Sequence, residues 1–215
     1  MKEFPVTRIS VNPQTMNQKT LDVIGRKHTV EEIKEAYALA RKTGFDNINM
    51  DIIAGLPGED ISDMEDTLAQ IAQMHPDSLT VHSLAIKRAA RMEMEDLNRD
   101  AKETHEILSG MIERAAKAAK EMDLFPYYLY RQSRMAGNLE NVGWSKKGYE
   151  SLYNVYVMDE THTILGCGSG AVTKLKRNNP DYLERIFNFK YPYEYIDRFE
   201  EMIKRKNAIS AFYTQ

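Results

Sequence analysis

Hydrophobic and polar positions recur at two different periods along the first 90 residues. Residues 6–12 are rich in β-branched side chains and predict a strand. Thr29 followed by Glu32 forms a capping box. Ile33, Ala36, Tyr37 and Ala40 then recur at helical spacing, and Gly44 stands where a left-handed C-cap closes the helix. Residues 47–53 alternate as a strand and Gly55-Leu56-Pro57-Gly58 turns the chain. Ser62 with Glu65 caps a second helix, bearing Met64, Leu68 and Ile71, which ends at Pro76. Residues 78–85 predict a third strand. Strand, helix, strand, helix, strand is the pattern of parallel βαβ units, so the fold class is α/β.

The two faces of these strands differ. Ile48, Met50 and Ile52 oppose Asn49 and Asp51; Ile9 and Val11 oppose Arg8, Ser10 and Asn12; Leu79 and Val81 oppose Thr80 and His82. A doubly wound sheet covered by helices on both sides has no use for a polar face. Two readings fit: part of a barrel with a solvated or ligand-filled interior, or a half-exposed sheet whose polar layer is internally hydrogen-bonded.

After residue 96 the pattern changes. A long helix is expected at 100–122, then an aromatic strand carrying Tyr127, Tyr128 and Tyr130. Residues 141–144 read as loop, 153–158 and 163–165 as strands, and the tail beyond Pro180 as two amphipathic helices. This places a boundary near residue 95, with a first domain over 1–95 and an α+β accessory domain over 96–215.

Composition narrows the chemistry. A net charge of −3 and the lack of a basic stripe interleaved with aromatics give no field for nucleic acid or an anionic membrane. No apolar run approaches the ~20 residues that span a bilayer, and no secretory apolar region opens the sequence, so a cytoplasmic location is expected. The one cysteine, Cys167, excludes an intrachain disulfide and any site built mainly on thiolates of this chain. The histidines show no metal-ligand spacing, so no metal site is expected.

Five features are candidate chemistry. Gly166-Cys167-Gly168-Ser169-Gly170 is either a close backbone approach to a ligand or a turn. The Gly55–Gly58 turn follows a strand, where βα loops of barrels carry function. Asp51, inside a strand, is either a ligand-binding carboxylate or half of an ion pair with Arg8 or Arg26. Cys167, with no base near it in sequence, is expected to be buried and inert. Tyr127, Tyr128 and Tyr130 are secondary candidates for stacking on a macrocycle.

Taken in order, Arg8-Ile9-Ser10 with Gln14 and Asn17, Ile24-Gly25-Arg26, Ala40-Arg41, Gly44-Phe45, residues 49–53, Gly55-Leu56-Pro57-Gly58 and residues 76–85 resemble the second half of the catalytic barrel of oxygen-independent coproporphyrinogen III oxidases, which are radical S-adenosylmethionine enzymes. Residues 128–132 and 137–143 resemble the coproporphyrinogen dehydrogenase branch. The resemblance implies half of a (β/α)6 barrel followed by a smaller α+β domain. It implies that Gln14, Arg26 and Asp51 contact S-adenosylmethionine, that Ala85 and Val172 line a second molecule of it, and that Ile53 packs beside them. It also implies a four-iron cluster, coproporphyrinogen III as substrate, and oxidative decarboxylation of two propionates to vinyl groups in haem biosynthesis. The family's Cys-x-x-x-Cys-x-x-Cys motif is absent from these residues. The sequence is therefore expected to be a fragment, inactive alone and needing an N-terminal barrel half as partner. A haem-trafficking protein of the same family, or a module without a ligand, are the alternatives.

Overall fold

The computed structural model describes residues 6–84, 101–130, 140–177 and 182–214. Packing divides the chain into two units, 1–151 and 152–215.

The first unit begins with the short strand β1 (Ile9–Ser10) and helix α1 (Gln18–Val23), followed by α2 (Val30–Lys42), β2 (Ile48–Ala54), α3 (Ile61–Met74) and β3 (Ser78–Ser83). The expected capping box closes α2, with the Thr29 hydroxyl accepting from Glu32 N–H and the Glu32 carboxylate accepting from Thr29 N–H. For α3 the box is formed by Asp60 and Asp63 instead of Ser62 and Glu65, because a carboxylate two residues earlier reaches the same free N–H groups. His75, not a glycine, ends α3 in the left-handed region at φ 53°. α1 was not predicted; Asn17 caps it, its side chain accepting from Lys19 and Thr20 N–H.

β1, β2 and β3 are parallel neighbours, with Ile9 opposite Ile48, Ser10 opposite Asn49 and Asp51 opposite Thr80. One face of the sheet is the core: Ile48, Met50, Ile52, Ala54 and Leu79 are fully buried, packed with the inward stripes of α2 and α3. Each of the isoleucine, methionine and leucine side chains among these contributes about 1.5–3 kcal/mol through removal from water. Helix α4 (Ala101–Glu121) packs along α3 and closes this layer with Leu108, Met111, Ala115 and Ala119. Gly110 allows the approach, since a Cβ there would lie 2.6 Å from the Ile61 side chain.

The sheet continues with β5 (Asn141–Ser145) antiparallel to β3, and β4 (Phe125–Tyr130) antiparallel to β5, giving the order β1-β2-β3-β5-β4. Residues 141–144, expected to be loop, are thus an inner strand. Trp144 and Val142 face the core opposite Leu79 and Val81, and that pairing fixes the strand although Asn141 and Gly143 weaken its local signal. The expected boundary at residue 95 separates parallel from antiparallel strands rather than two cores, because α4, β4 and β5 pack with the first unit.

In the second unit, residues 152–159 form helix α5 (Leu152–Asp159), not the expected strand. Residues beyond 182 form strand β7 (Leu183–Phe187), paired antiparallel with β6 (Val172–Lys176), before the three short helices α6 (Pro192–Asp197), α7 (Phe199–Lys206) and α8 (Ala208–Thr214). Of the strand expected at 163–165, one bridge between Ile164 and Lys174 remains. Leu175, Ile186 and Phe212 make the small core of this unit. Among the described residues, no helix is long and apolar enough to cross a membrane.

Candidate functional site

The face of the five-stranded sheet opposite the core is polar, as the alternation predicts. Asn49 is its hub: Nδ2 donates to Asp51 Oδ1 (2.6 Å) and to Ser10 Oγ (3.3 Å), while Oδ1 accepts from Thr80 Oγ1 (3.2 Å). Strand register then draws a row across four strands, from Asp51 through Thr80 and Gly143 to Tyr128. Beside that row lies a second pair, in which Tyr130 Oη and His82 Nδ1 are hydrogen-bonded at 3.2 Å.

Asp51 is half-buried and forms no ion pair among the described residues. The expected partners do not reach it. Arg8 Nε and Nη2 are enclosed without a hydrogen-bond partner, and Arg26 is exposed in the loop after α1 and forms no ion pair among the described residues. The buried charge hub is elsewhere, at Asp77. This residue is 4% exposed and accepts from Arg41 Nη1 (2.6 Å), Lys146 Nζ (2.9 Å) and Ile48 N–H (3.0 Å). Burial alone would raise its pKa, but these three donors outweigh it and hold the carboxyl below its ordinary range.

Burial pushes the His82 imidazole below its usual pKa against the pull of Asp51, which leaves the ring neutral at pH 7. Burial also lifts the Tyr128 phenol to about 12, so it stays protonated. Among the described residues, the face thus sets the Asp51 carboxylate beside neutral hydrogen-bonding and aromatic groups.

Two loops meet at the C-terminal ends of the parallel strands. Gln14, at φ 70°, donates its N–H to Asp51 O (3.0 Å) and accepts at its own carbonyl from Ile53 N–H (2.9 Å). A left-handed glutamine costs of order 1–3 kcal/mol unless its surroundings impose it, and the next residue shows what does. Thr15 Oγ1 donates to Glu59 Oε1 (2.6 Å) in the turn after β2 and lies 3.2 Å from Thr67 Oγ1, which accepts from Met16 N–H. Glu59 is 3% exposed; burial raises its pKa, Thr15 and Thr20 lower it, and Asp63 and Asp60 raise it further, with a net upward shift. A carboxyl whose folded pKa is raised gives stability that is complete below its unfolded value and is lost as pH rises through the folded value. Glu59→Gln keeps an acceptor for Thr15 and removes the ionisation cost. Its melting temperature is expected to exceed the wild type's at pH 7–8, with the gap closing towards pH 4 in a thermal-melt series.

The structure brings Gln14, Asp51 and Ile53 together at one strand end. Arg26 follows Gly25 on a neighbouring loop without contact to them, and Ala85 lies outside the described residues. Val172 opens β6 in the second unit. There the glycine run is a turn: Asn188 Nδ2 donates to Gly168 O (2.7 Å), and a Cβ on Gly166 would lie 2.6 Å from the Val172 carbonyl oxygen. Cys167 is exposed in that turn, contrary to the buried position expected of it. Among the described residues no cluster of His, Cys, Asp and Glu suits a metal ion. Sequence reasoning missed Gly143 and Glu59. The available signal for the first was a glycine within a short alternating stretch.

The profile of the Radical SAM superfamily matches residues 1–71. The oxygen-independent coproporphyrinogen-III oxidase-like protein HemZ of Bacillus subtilis is 43% identical over 206 residues, 96% of this chain and 41% of its own length. Nearly the whole chain is thus similar to an oxygen-independent coproporphyrinogen-III oxidase-like protein, and its first third to the Radical SAM superfamily. The heme chaperone HemW of Lactococcus lactis is 26% identical over 172 residues, covering 80% of this chain and 42% of that protein. The crystal structure of coproporphyrinogen III oxidase HemN from Escherichia coli matches with a TM-score of 0.61 at 17% identity, over 90% of this chain and 44% of that one. The chain thus spans about two fifths of the length of each of these three proteins. The shared fold is that of part of a radical-SAM barrel with a C-terminal domain, as the resemblance implied.

Proposed function

We propose that this chain supplies the S-adenosylmethionine-facing strands of a radical oxidoreductase that decarboxylates coproporphyrinogen III to protoporphyrinogen IX in haem biosynthesis. The observation that carries the reading is the Gln14–Asp51–Ile53 cluster, held at the C-terminal edge of parallel strands in a family whose relatives bear that activity in their names. Among the described residues the Asp51 carboxylate has one side-chain partner, Asn49, which leaves lone pairs for ribose hydroxyls or an ammonium group. The Gln14 amide is held there by a backbone that Glu59 and Thr15 clamp. Arg26 offers a guanidinium fork to a carboxylate. Ile53 packs on the adenine. These residues fit S-adenosylmethionine, which supplies the oxidant for hydrogen abstraction when cleaved reductively. With one cysteine, the chain does not fit a four-iron cluster. In this reading the cluster's ligands come from the portion of the family sequence that the chain does not match, and that portion is the partner with which these residues work in the cytoplasm.

Reconstitution tests the division of labour. Incubated anaerobically with iron and sulfide, the chain alone is expected to show no stable absorption of a four-iron cluster and to form no 5′-deoxyadenosine. A chimera joining the unmatched N-terminal portion of the Bacillus subtilis relative to this chain is expected to show both. A chimera that takes up the cluster but leaves S-adenosylmethionine intact would refute the proposed cofactor face.

The haem chaperones among the relatives motivate a second reading, transfer of haem without decarboxylation. It is distinguished by product analysis, described below.

A further inference from the structure

Gln14 keeps its left-handed backbone because the residues after it are tied down, and the ties meet at one buried carboxyl. Thr15 and Met16 are both buried. Thr15 Oγ1 donates to Glu59 Oε1 (2.6 Å) in the turn after β2, and Met16 N–H donates to Thr67 Oγ1 (3.1 Å) on α3. Thr15 Oγ1 also accepts from Asn17 N–H (3.2 Å) and lies 3.2 Å from Thr67 Oγ1, which leaves its one proton for Glu59. Thr20 of α1 supplies a second hydroxyl to the same carboxyl.

The surroundings of Glu59 hold hydroxyls and acids. Among the described residues no cation reaches it: residues 12–17 carry no charge, Lys19 and Asp22 of α1 are exposed, and α3 opens with Asp60 and Asp63, which oppose a further negative charge. The Ser62 and Asp63 N–H groups at the start of α3 donate to Asp60, so they do not compensate Glu59 either. A neutral carboxyl suits this place, since it accepts from Thr15 and donates to Thr20. An ionised one has two hydroxyl donors and no counter-charge, and it relieves its burial by admitting water between the two loops.

We infer that Glu59 is a positioning residue for Gln14, acting through a proton-dependent latch: protonated, it closes residues 12–17 onto the turn after β2 and holds Gln14 in place, and ionised, it lets that loop go. The sign is fixed by linkage. Burial lifts the carboxyl above the usual range while the latch is shut, so closure is strongest below the open-state value and weakens as pH rises to the closed-state one. The latch rests on the proposed function only for its purpose, since Gln14 is read there as a cofactor contact.

The experiment uses the 215-residue chain with 15N backbone and 13C carboxyl labels, followed by nuclear magnetic resonance between about pH 4 and about pH 9. Glu59 Cδ is expected to titrate above the ordinary glutamate range, and the Gln14 and Thr15 amide signals to move with the same midpoint. Exchange of the Ile53 N–H, which donates to Gln14 O, should lose about tenfold in protection per pH unit between the ordinary glutamate range and that midpoint, after correction for base catalysis, and level off above it. Glu59→Gln accepts from Thr15 and donates to Thr20 without ionising, and should keep the low-pH Gln14 signal and the Ile53 protection throughout. Thr15→Val cuts the latch while leaving the carboxyl in place, and should uncouple Gln14 from the titration. Glu59 titrating in the ordinary range, Gln14 signals that stay fixed while Glu59 titrates, an unchanged pH dependence in Glu59→Gln, or persistent coupling in Thr15→Val would each overturn the latch. If a variant fails to fold by circular dichroism, the wild-type midpoints decide. Every reading is made without cofactor, so a failure of S-adenosylmethionine cleavage in the chimera leaves the latch standing, and a fixed Gln14 beside intact cleavage removes the latch alone.

Discussion

Asp77→Ala is expected to destabilise the chain by about 2–4 kcal/mol in urea unfolding at pH 7, the largest effect of any single substitution proposed for it. Asp77 joins three elements. It takes Arg41 from α2, the Ile48 N–H at the start of β2 and Lys146 just beyond β5, and its own strand lies between the last two. Removing the carboxylate leaves a buried N–H without an acceptor and two cations facing each other across the gap. The cations' side chains are 30% and 37% exposed, so water recovers part of the loss, which is why the expected figure lies below that for a fully enclosed pair. The pH dependence has a definite sign. The folded pKa is depressed, so the stabilisation is present above the unfolded value, near the ordinary carboxylate range, and is lost as pH falls through the folded one. The gap between wild type and Asp77→Asn should accordingly narrow in acid. A loss below about 0.5 kcal/mol at pH 7 would show that these contacts do not hold the sheet to α2.

Asp51→Ala is expected to act on chemistry and spare the fold. In the chimera, formation of 5′-deoxyadenosine should fall by about 10- to 100-fold, the range for one charge-assisted hydrogen bond lost from a ligand site. Stability should change little. Asp51 is half-exposed, and Asn49 keeps its bonds to Ser10 and Thr80 when the carboxylate is gone. The residues that hold the sheet to its helices, Met50 and Ile52, point the other way. Unfolding of the Asp51→Ala variant, together with undiminished cleavage in the fraction still folded, would assign Asp51 to structure.

The contrast between Asp51 and Asp77 shows what was legible in the sequence. Asp51 drew notice because it interrupts an apolar strand, and its side of the sheet follows from a period of two. Its expected ion pair with Arg8 or Arg26 does not form, since sequence spacing carries no information about which distant side chain arrives. Asp77 stands in a turn after Pro76, where an acidic residue is unremarkable, and its partners Arg41 and Lys146 are 36 residues before it and 69 after it. The parallel strands could be read from the strand–helix–strand order, and their two unlike faces from β2, where each core residue alternates with a polar or half-buried one. β5 could not. Asn141 and Gly143 look like loop until Tyr128 is seen to need the space and Asn141 Oδ1 to accept from Ser83 N–H at 2.8 Å. Residues 152–159 failed in the opposite sense. Leu, Tyr and Val suggest a strand, yet they form a helix with no buried residue, so local composition had no core against which to be checked. Gln14 was named through family resemblance, but the clamp that holds it, Thr15 with Glu59, joins two loops 44 residues apart and emerges only from the fold.

The reading of this chain as part of a decarboxylating enzyme rather than a haem carrier is tested most directly by product analysis of the chimera. Incubated anaerobically with S-adenosylmethionine, a low-potential reductant and coproporphyrinogen III, it is expected to release two equivalents of carbon dioxide per tetrapyrrole and to yield protoporphyrinogen IX by mass spectrometry, with both signals reduced in Asp51→Ala. A chimera that holds its cluster and binds haem tightly, yet returns coproporphyrinogen III unchanged, would contradict that account and establish the carrier instead.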